Sequence, residues 1–284
     1  MLAERQDKAK SLVCVGLDPL AEKIPNCFKD LVLEAAIELQ MMDIVDKTAE
    51  FTSMFKPQIA HWEAIPNGVR ALKRVIRHIH AVFPDIPVFL DCKRGDIART
   101  QKQYKVACLD LMGADGMNFS PYMGKDCMAA LVDKENLGRA LVGLCYTSNP
   151  DAREVQDVLS IDGHLYWEFI AERTLAWAKE LGVVENAGLV MAAAYEHPKG
   201  SGKVTKYHLA NCREIVGKNL WFLIPGIGAQ GGVIEETVRF AYDGPGSIAI
   251  NSSSEICFAS SESNYAEAAA QKARELRDKI NAVL

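Results

Sequence analysis

The sequence lacks the features that mark membrane, secreted and nucleic-acid-binding proteins. No apolar run in the 284 residues approaches the 18 that a membrane-spanning helix needs, and the N-terminus has no signal-peptide core. The net charge of −5 gives no bulk attraction for nucleic acid or an anionic membrane, so we expect neither partner. A phosphate ligand would therefore need a local site. Repeats and low-complexity linkers are also absent, and nothing in the sequence marks a second domain.

The eight cysteines form no C-x-x-C pair, and no group of His, Cys or carboxylate residues has a convincing metal-ligand spacing. Cys14, Cys92 and Cys145 stand in apolar, strand-like runs. We therefore predict reduced thiols that mostly pack inside a cytoplasmic protein, and no metal site. The composition, 49% hydrophobic and 24% charged, is that of an ordinary globular protein.

Short apolar runs alternate with segments of helical periodicity eight times along the chain. The runs are apolar on both faces, as parallel strands covered by helices must be. The simplest closure is an α/β fold, a single (β/α)8 TIM barrel over residues 1–284, with a doubly wound open sheet as the alternative. The predicted strands span 11–18, 52–58, 88–97, 115–121, 140–148, 188–195, 220–226 and 247–252. The helical periodicity between them predicts, among others, helices at about 97–112, 166–181 and 207–216.

The third predicted strand ends in a D-x-K-x-x-D pattern formed by Asp91, Lys93 and Asp96. Side chains two residues apart on a strand share a face, so Asp91 and Lys93 point the same way. Asp96 follows a turn at residues 94–95. An ammonium group held among carboxylates suits proton transfer to a carbon. The structural alternative is an ion pair at a strand end, with Asp96 capping the next helix.

A glycine-rich segment follows the seventh predicted strand, with Gly226, Gly228 and Gly231 in a G-x-G-x-x-G spacing. This spacing could mark a dinucleotide site, but that fingerprint belongs to a first βαβ unit. Barrels bind phosphate with the loops after strands seven and eight and a helix N-terminus. The segment is therefore interpreted as a phosphate-binding loop, with a plain glycine turn as the alternative.

Taken together, the motifs resemble orotidine 5′-monophosphate decarboxylase. The resemblance runs nearly end to end, and its D-x-K-R-G-D-I and G-I-G-A-Q-G-G motifs indicate one branch of that family. The matching segments are residues 16–19, 55–58, 91–97 with Thr100, 120–124, 147–150, 225–232 and 251–253.

The resemblance implies decarboxylation of orotidine 5′-monophosphate to UMP in de novo pyrimidine biosynthesis, without a cofactor. It also implies a homodimer with its two sites at the subunit interface. By the family's motif, Lys93 protonates C6 of the pyrimidine while Asp91, paired with Lys56, lies near the departing carboxylate. Asp96 contributes to the partner's site, and the substrate-binding positions are Asp18, Ile97, Thr100, Ser148, Gly228, Gln230, Gly231 and Ser254.

The sequence departs from the family pattern at two single positions and in one short stretch. Ser254 stands where an arginine usually grips the phosphate, and serine cannot supply a bidentate cation. Tyr146 stands where arginine is common, and residues 192–195 replace the usual Gly-Ala-Thr. These changes bear on substrate affinity more than on the reaction. Another basic group could take over, and the lysines at 199, 203 and 206 are candidates.

Two other functions remain open at this point. One is a magnesium-dependent aldolase similar to hexulose-phosphate synthase, since those enzymes share D-x-K on strand three. The other is a barrel that binds a nucleotide or its phosphate without turnover, for which Ser254 is the only support.

Overall fold

A computed structural model describes residues 1–133, 137–197, 201–227 and 232–284. Its main sheet has eight parallel strands that follow one another around a ring in chain order. Parallel bridges from Phe55 to Val88 and from Gln58 to Asp91 join strand two to strand three and close the ring. The predicted barrel is therefore confirmed, and the open sheet is wrong. The strands are Val13–Gly16, Met54–Lys56, Phe89–Arg94, Gly116–Phe119, Ala140–Tyr146, Ala187–Met191, Trp221–Ile224 and Ile248–Ser252.

Helices surround the barrel, and two of them, at 166–181 and 207–216, begin and end at the predicted residues. The first ends at Gly182, whose φ of 70° suits a glycine cap. The described α-helices are Leu2–Ala9, Leu33–Thr48, Ile59–Glu63, Gly68–Val82, Ala98–Lys105, Lys125–Ala129, Arg153–Gln156, Tyr166–Leu181, Tyr207–Val216, Ile234–Ala241, Ser254–Cys257 and Tyr265–Asn281. None of the helices in these described ranges is long and apolar enough to cross a membrane.

The N-terminal helix Leu2–Ala9 was not predicted, because polar side chains rather than an apolar face hold it in place. Arg5 is buried and donates to the Thr52 carbonyl at 2.9 Å and to Asp85 at 2.9 Å. Gln6 donates to the Ile248 carbonyl at 2.7 Å and accepts from the Gly246 N–H at 2.6 Å. These contacts close the end of the barrel where the strands begin.

Two predicted segments end earlier than expected. The helix predicted over 97–112 is α-helical only to Lys105 and continues as a π-helix, Val106–Leu111. The sixth strand stops at Met191, and the chain then forms a small antiparallel hairpin of Tyr195–Glu196 with Val204–Thr205. The hairpin lies just beyond the carboxyl end of strand six, beside the mouth of the barrel.

A layer of apolar side chains fills the interior of the barrel below its mouth. Seven strands contribute to this layer, which includes Cys14, Met54, Phe89, Val142, Val190, Trp221, Leu223 and Ala249. A second and larger cluster lies between the strands and the helices. Because both faces of the strands are buried, the polar side chains of the strands collect at the carboxyl ends.

Candidate active site

Three charged side chains meet where strands two and three end. The Lys93 ammonium lies 2.7 Å from Asp91 Oδ1, and the Lys56 ammonium lies 3.3 Å from Asp91 Oδ2. Lys56 and Asp91 are buried, whereas the Lys93 side chain is 46% exposed. One carboxylate thus holds two cations, of which only Lys93 reaches into the open mouth.

The electrostatics of this cluster keep its buried members charged. Burial opposes ionisation of Asp91, but Lys56 and then Lys93 outweigh it and lower the pKa of Asp91 to about 2. Burial likewise works against a charged Lys56, yet the carboxylates of Asp18 and Asp91 raise the pKa of Lys56 above its ordinary value. Both groups are therefore ionised at neutral pH.

Asn118, on strand four, connects the carboxylate of Asp91 to the backbone that carries Lys93. Its side-chain amide donates to Asp91 Oδ1 at 2.5 Å, while its oxygen accepts from the N–H groups of Cys92 at 3.0 Å and Lys93 at 2.6 Å. Lys93 has a φ of 46°, which is unfavourable for a residue with a side chain. The register between strands three and four shifts here, between Leu90 and Arg94. Asn118 therefore stabilises the irregular backbone that presents the Lys93 ammonium.

Asp18 joins strands one, two and eight at the mouth. Its carboxylate accepts the Gln58 N–H at 2.9 Å and the Ser253 hydroxyl at 2.6 Å. Gly16 allows this close approach, because a Cβ there would lie 2.5 Å from the Cβ of Ser253. Asp18 is thus held beside the charged cluster without pairing directly with Lys56.

Asp96, Ile97 and Thr100 do not join the cluster within this chain. Asp96 accepts the Ile97 N–H at 2.7 Å, and its own N–H donates to Gln101 Oε1 at 3.0 Å. Ile97 is 56% exposed, and Thr100 is exposed as well. Asp96 also does not cap the next helix, whose N-terminal cap residue is Ile97.

Ser148 and Ser254 lie at different places around the mouth. Ser148 lines a pocket of about 260 Å³ at the carboxyl ends of strands five, six and seven. Ser254 is exposed at the start of the short helix Ser254–Cys257. The predicted positions Gly228, Gln230 and Gly231 lie outside the described residues, as does Lys199.

Sequence reasoning assigned no role to Asn118 or to Ser253, although Ser253 lies in the matching segment 251–253. Asn118 is a fully buried amide in the short apolar strand Gly116–Phe119, and such a residue must find hydrogen-bond partners inside the fold. That requirement was a usable signal, although it does not name the partner. For Ser253, the sequence pattern drew attention to its neighbour Ser254, whereas the structure places the Ser253 hydroxyl on Asp18.

The comparisons with known proteins agree on one family. A model of the orotidine 5′-phosphate decarboxylase / HUMPS family matches residues 11–269. Orotidine 5′-phosphate decarboxylases from Cupriavidus necator and Ralstonia pickettii are each 38% identical over 282 residues, covering 99% of this chain and 96% of the relative.

Solved structures give the same result. The structure of OMP decarboxylase from Leishmania donovani is 31% identical, with a TM-score of 0.78, and the match covers 99% of this chain and 96% of that one. UMP synthase from the same organism is 32% identical, with a TM-score of 0.80, over 99% of this chain and 55% of that one. The chain therefore belongs to the orotidine 5′-phosphate decarboxylase / HUMPS family.

Proposed function

We propose that this chain decarboxylates orotidine 5′-monophosphate to UMP and carbon dioxide, in de novo pyrimidine biosynthesis and without a cofactor. The observation that carries the proposal is the pairing of Lys93 and Lys56 with the single carboxylate of Asp91. The names of relatives 38% identical along nearly the whole chain support the same substrate.

In the proposed reaction, the bond between C6 and the carboxylate carbon breaks and its electron pair remains on C6. The Lys93 ammonium faces this developing charge, stabilises it and then transfers one proton to C6. Asp91 holds Lys93 in place, lies near the departing carboxylate, and is itself held by Lys56. Because these charges are oriented before substrate binds, little reorganisation is needed during the reaction.

The rest of the nucleotide extends across the mouth of the barrel. We assign the ribose hydroxyls to Asp18 and Lys56 and the pyrimidine to Ser148. The glycine-rich segment, with Gly228, Gln230 and Gly231, is assigned to the base and the phosphate. Contacts to the phosphate, remote from C6, would supply binding energy that holds the reacting groups in place.

The arrangement of Asp91 disfavours the magnesium-dependent aldolase. Magnesium needs carboxylate oxygens that are free to coordinate it. Both oxygens of Asp91 already accept from ammonium groups, Oδ1 from Lys93 and Oδ2 from Lys56. The non-catalytic nucleotide-binding barrel still has the support of Ser254, so turnover has to be measured directly.

The proposed function is tested by a decarboxylation assay in the presence of a chelator. We expect the wild-type protein to form UMP and carbon dioxide from orotidine 5′-monophosphate at a rate that added magnesium does not change. UMP formation only with added magnesium would contradict the cofactor-free reaction, and magnesium-dependent turnover of a sugar phosphate instead of orotidine 5′-monophosphate would favour the aldolase. Nucleotide binding without turnover would favour the binding protein.

We also propose that the chain acts as a homodimer in which Asp96, Ile97 and Thr100 reach the partner's site. What supports this is that the Asp96 carboxylate lies outside the cluster of its own chain, and that Ile97 and Thr100 are exposed. A symmetric dimer would exchange these residues reciprocally between its two sites.

Mixed dimers test this exchange. We expect Lys93→Ala and Asp96→Ala proteins to be nearly inactive alone, and to regain about one quarter of wild-type activity when refolded together in equal amounts. Half of the dimers would then be mixed, and each mixed dimer would have one intact site. No recovery above the two separate proteins would place Asp96 and Lys93 in the same chain's site.

Two further proposals concern the chain as a whole. We propose that residues 1–284 form one domain, since the strands of the ring and the C-terminal helix pack into a shared core and the N-terminal helix is hydrogen-bonded to the barrel. We also propose a cytoplasmic location, which the eight free thiols support.

A further inference from the structure

Tyr146 and Tyr195, which both lie where the sequence departs from the family pattern, pack against the same histidine. The rings of Tyr146 and Tyr195 both pack against the His208 ring, with ring centroids 4.9 Å and 5.7 Å from it. Their ring planes are tilted by 31° and 33°. The three rings form a stack beneath the pocket at the ends of strands five, six and seven. Tyr146 and Tyr195 themselves also line that pocket.

Arg153 extends this stack towards the mouth of the barrel. Its guanidinium carbon lies 4.6 Å from the centre of the Tyr195 ring, and the side chain lines the same pocket. A guanidinium lying on an aromatic face keeps the N–H donors at its edge available for a second partner. The stack therefore orients Arg153 without consuming its hydrogen bonds.

Arg153 is an uncommitted cation, unlike Lys56, Lys93 and Lys206. No carboxylate in the described parts of the chain forms a salt bridge with it, and it is the only lysine or arginine among the described residues lining the pocket. Lys56 and Lys93 are both paired with Asp91. Lys206, a candidate in the sequence, pairs with Glu236 at 2.9 Å.

The platform beneath Arg153 carries no charge of its own. His208 is fully buried, and its Nε2–H donates to the Ala192 carbonyl at 2.8 Å. Burial, with a smaller contribution from Arg153, lowers the pKa of His208 to about 4. The imidazole is therefore neutral at pH 7. Glu196 also lines the pocket, where its carboxylate accepts the Gly202 N–H.

The pocket shares residues with the proposed nucleotide site. Ser148, assigned to the pyrimidine, and Gly226, which opens the glycine-rich segment, both line it. A nucleotide phosphate is a dianion that needs a cation, preferably a planar guanidinium that can make two hydrogen bonds. Ser254 cannot supply one, whereas Arg153 can.

We propose that Arg153, carried on the stack of Tyr146, His208 and Tyr195, binds the 5′-phosphate of the nucleotide in place of the arginine missing at position 254. The ligand class is a phosphate monoester. This inference rests on the proposed function, because it takes the ligand to be a pyrimidine nucleotide. The changes at 146, 195 and 254 would then belong together, because they move the cation that binds the phosphate from position 254 to Arg153.

Calorimetric titrations with UMP and with uridine test the proposal, because the two ligands differ only in the phosphate. We expect Arg153→Ala to weaken UMP binding by about 10- to 100-fold and to leave uridine binding unchanged. Arg153→Lys should restore part of the affinity, since it keeps the charge but loses the planar fork. Adding Ser254→Arg to Arg153→Ala should also recover UMP affinity.

Arg173→Ala is the matched control, because that guanidinium lies 5.5 Å from the Phe169 ring and does not line the pocket. It should bind UMP as the wild type does. Unchanged UMP affinity in Arg153→Ala, or an equal loss for uridine, would overturn the phosphate site even if the wild type decarboxylates its substrate. Arg153-dependent binding of UMP without turnover would support the phosphate site and contradict the proposed reaction.

Discussion

Replacing Lys93 with alanine is expected to lower kcat for decarboxylation by about 10³- to 10⁵-fold, because it removes both a proton donor and the nearest positive charge. The Asp91 carboxylate would keep Lys56 as a partner, 3.3 Å away, so we expect the fold to persist. Lys93→Arg should also be severely impaired, because a guanidinium keeps the charge but does not release its proton at neutral pH. The rate of carbon dioxide release measures both effects.

Lys125→Ala is the matched control for Lys93→Ala. Lys125 is also partly exposed and also pairs with one carboxylate, that of Glu180, but it lies on the outer helix Lys125–Ala129. Its removal should leave kcat within about twofold, as expected for a surface ion pair. Retention of more than a tenth of wild-type kcat by Lys93→Ala would show that another group delivers the proton.

Replacing Asn118 with alanine is expected to lower kcat by about 100-fold, with a much smaller change in KM. Asn118 contacts the reacting groups only through Asp91 and the backbone of Lys93, so it acts as a positioning residue. Without its amide, the Lys93 backbone loses the acceptor that stabilises its φ of 46°. A misplacement of about 1 Å in a catalytic group can cost 100-fold in rate.

Gln6→Ala separates positioning from stability. Gln6 is also a buried amide that donates one hydrogen bond and accepts another, but it lies at the opposite end of the barrel. Both substitutions should lower the free energy of unfolding by about 1–3 kcal/mol, since each leaves buried polar groups without a partner. Only Asn118→Ala should change kcat, and equal kcat in the two variants would contradict the positioning role.

The Asn118→Asp substitution tests the contact between Asn118 and Asp91 through the dependence of the reaction rate on pH. This substitution keeps an acceptor for the Lys93 N–H but places a second carboxylate against Asp91, which raises the pKa of Asp91. In the wild type that pKa is about 2, so Asp91 is ionised throughout the neutral range. We expect the acidic limb of the rate profile to move to higher pH in Asn118→Asp.

The barrel and the core of the charged cluster could be predicted because they depend on local patterns. Eight apolar runs separated by segments of helical periodicity are compatible with few topologies. Residues i and i+2 of a strand place their side chains on the same face. That rule predicts that Asp91 and Lys93 lie on the same side of the strand. The structure places their charged atoms 2.7 Å apart. Element ends differ by a few residues, because fraying and turns are decided by tertiary contacts.

The backbone at Lys93 and the location of the phosphate cation were not predictable in the same way. The left-handed conformation of Lys93 depends on Asn118, which lies 25 residues away in the sequence. The stack beneath Arg153 depends on Tyr146, Tyr195 and His208, which only the closed barrel brings together. The lysines near position 203 attracted attention because they are clustered in sequence, whereas the isolated Arg153 did not.

The proposed reaction is tested most directly by decarboxylation of orotidine 5′-monophosphate in D₂O with a chelator present, followed by NMR of the product. We expect the wild-type protein to release one carbon dioxide for each UMP formed, and each UMP to carry deuterium at C6, because the Lys93 ammonium exchanges its protons with solvent before transfer. UMP formation only after magnesium is added would contradict the proposed reaction. Nucleotide binding without any formation of UMP would contradict it as well.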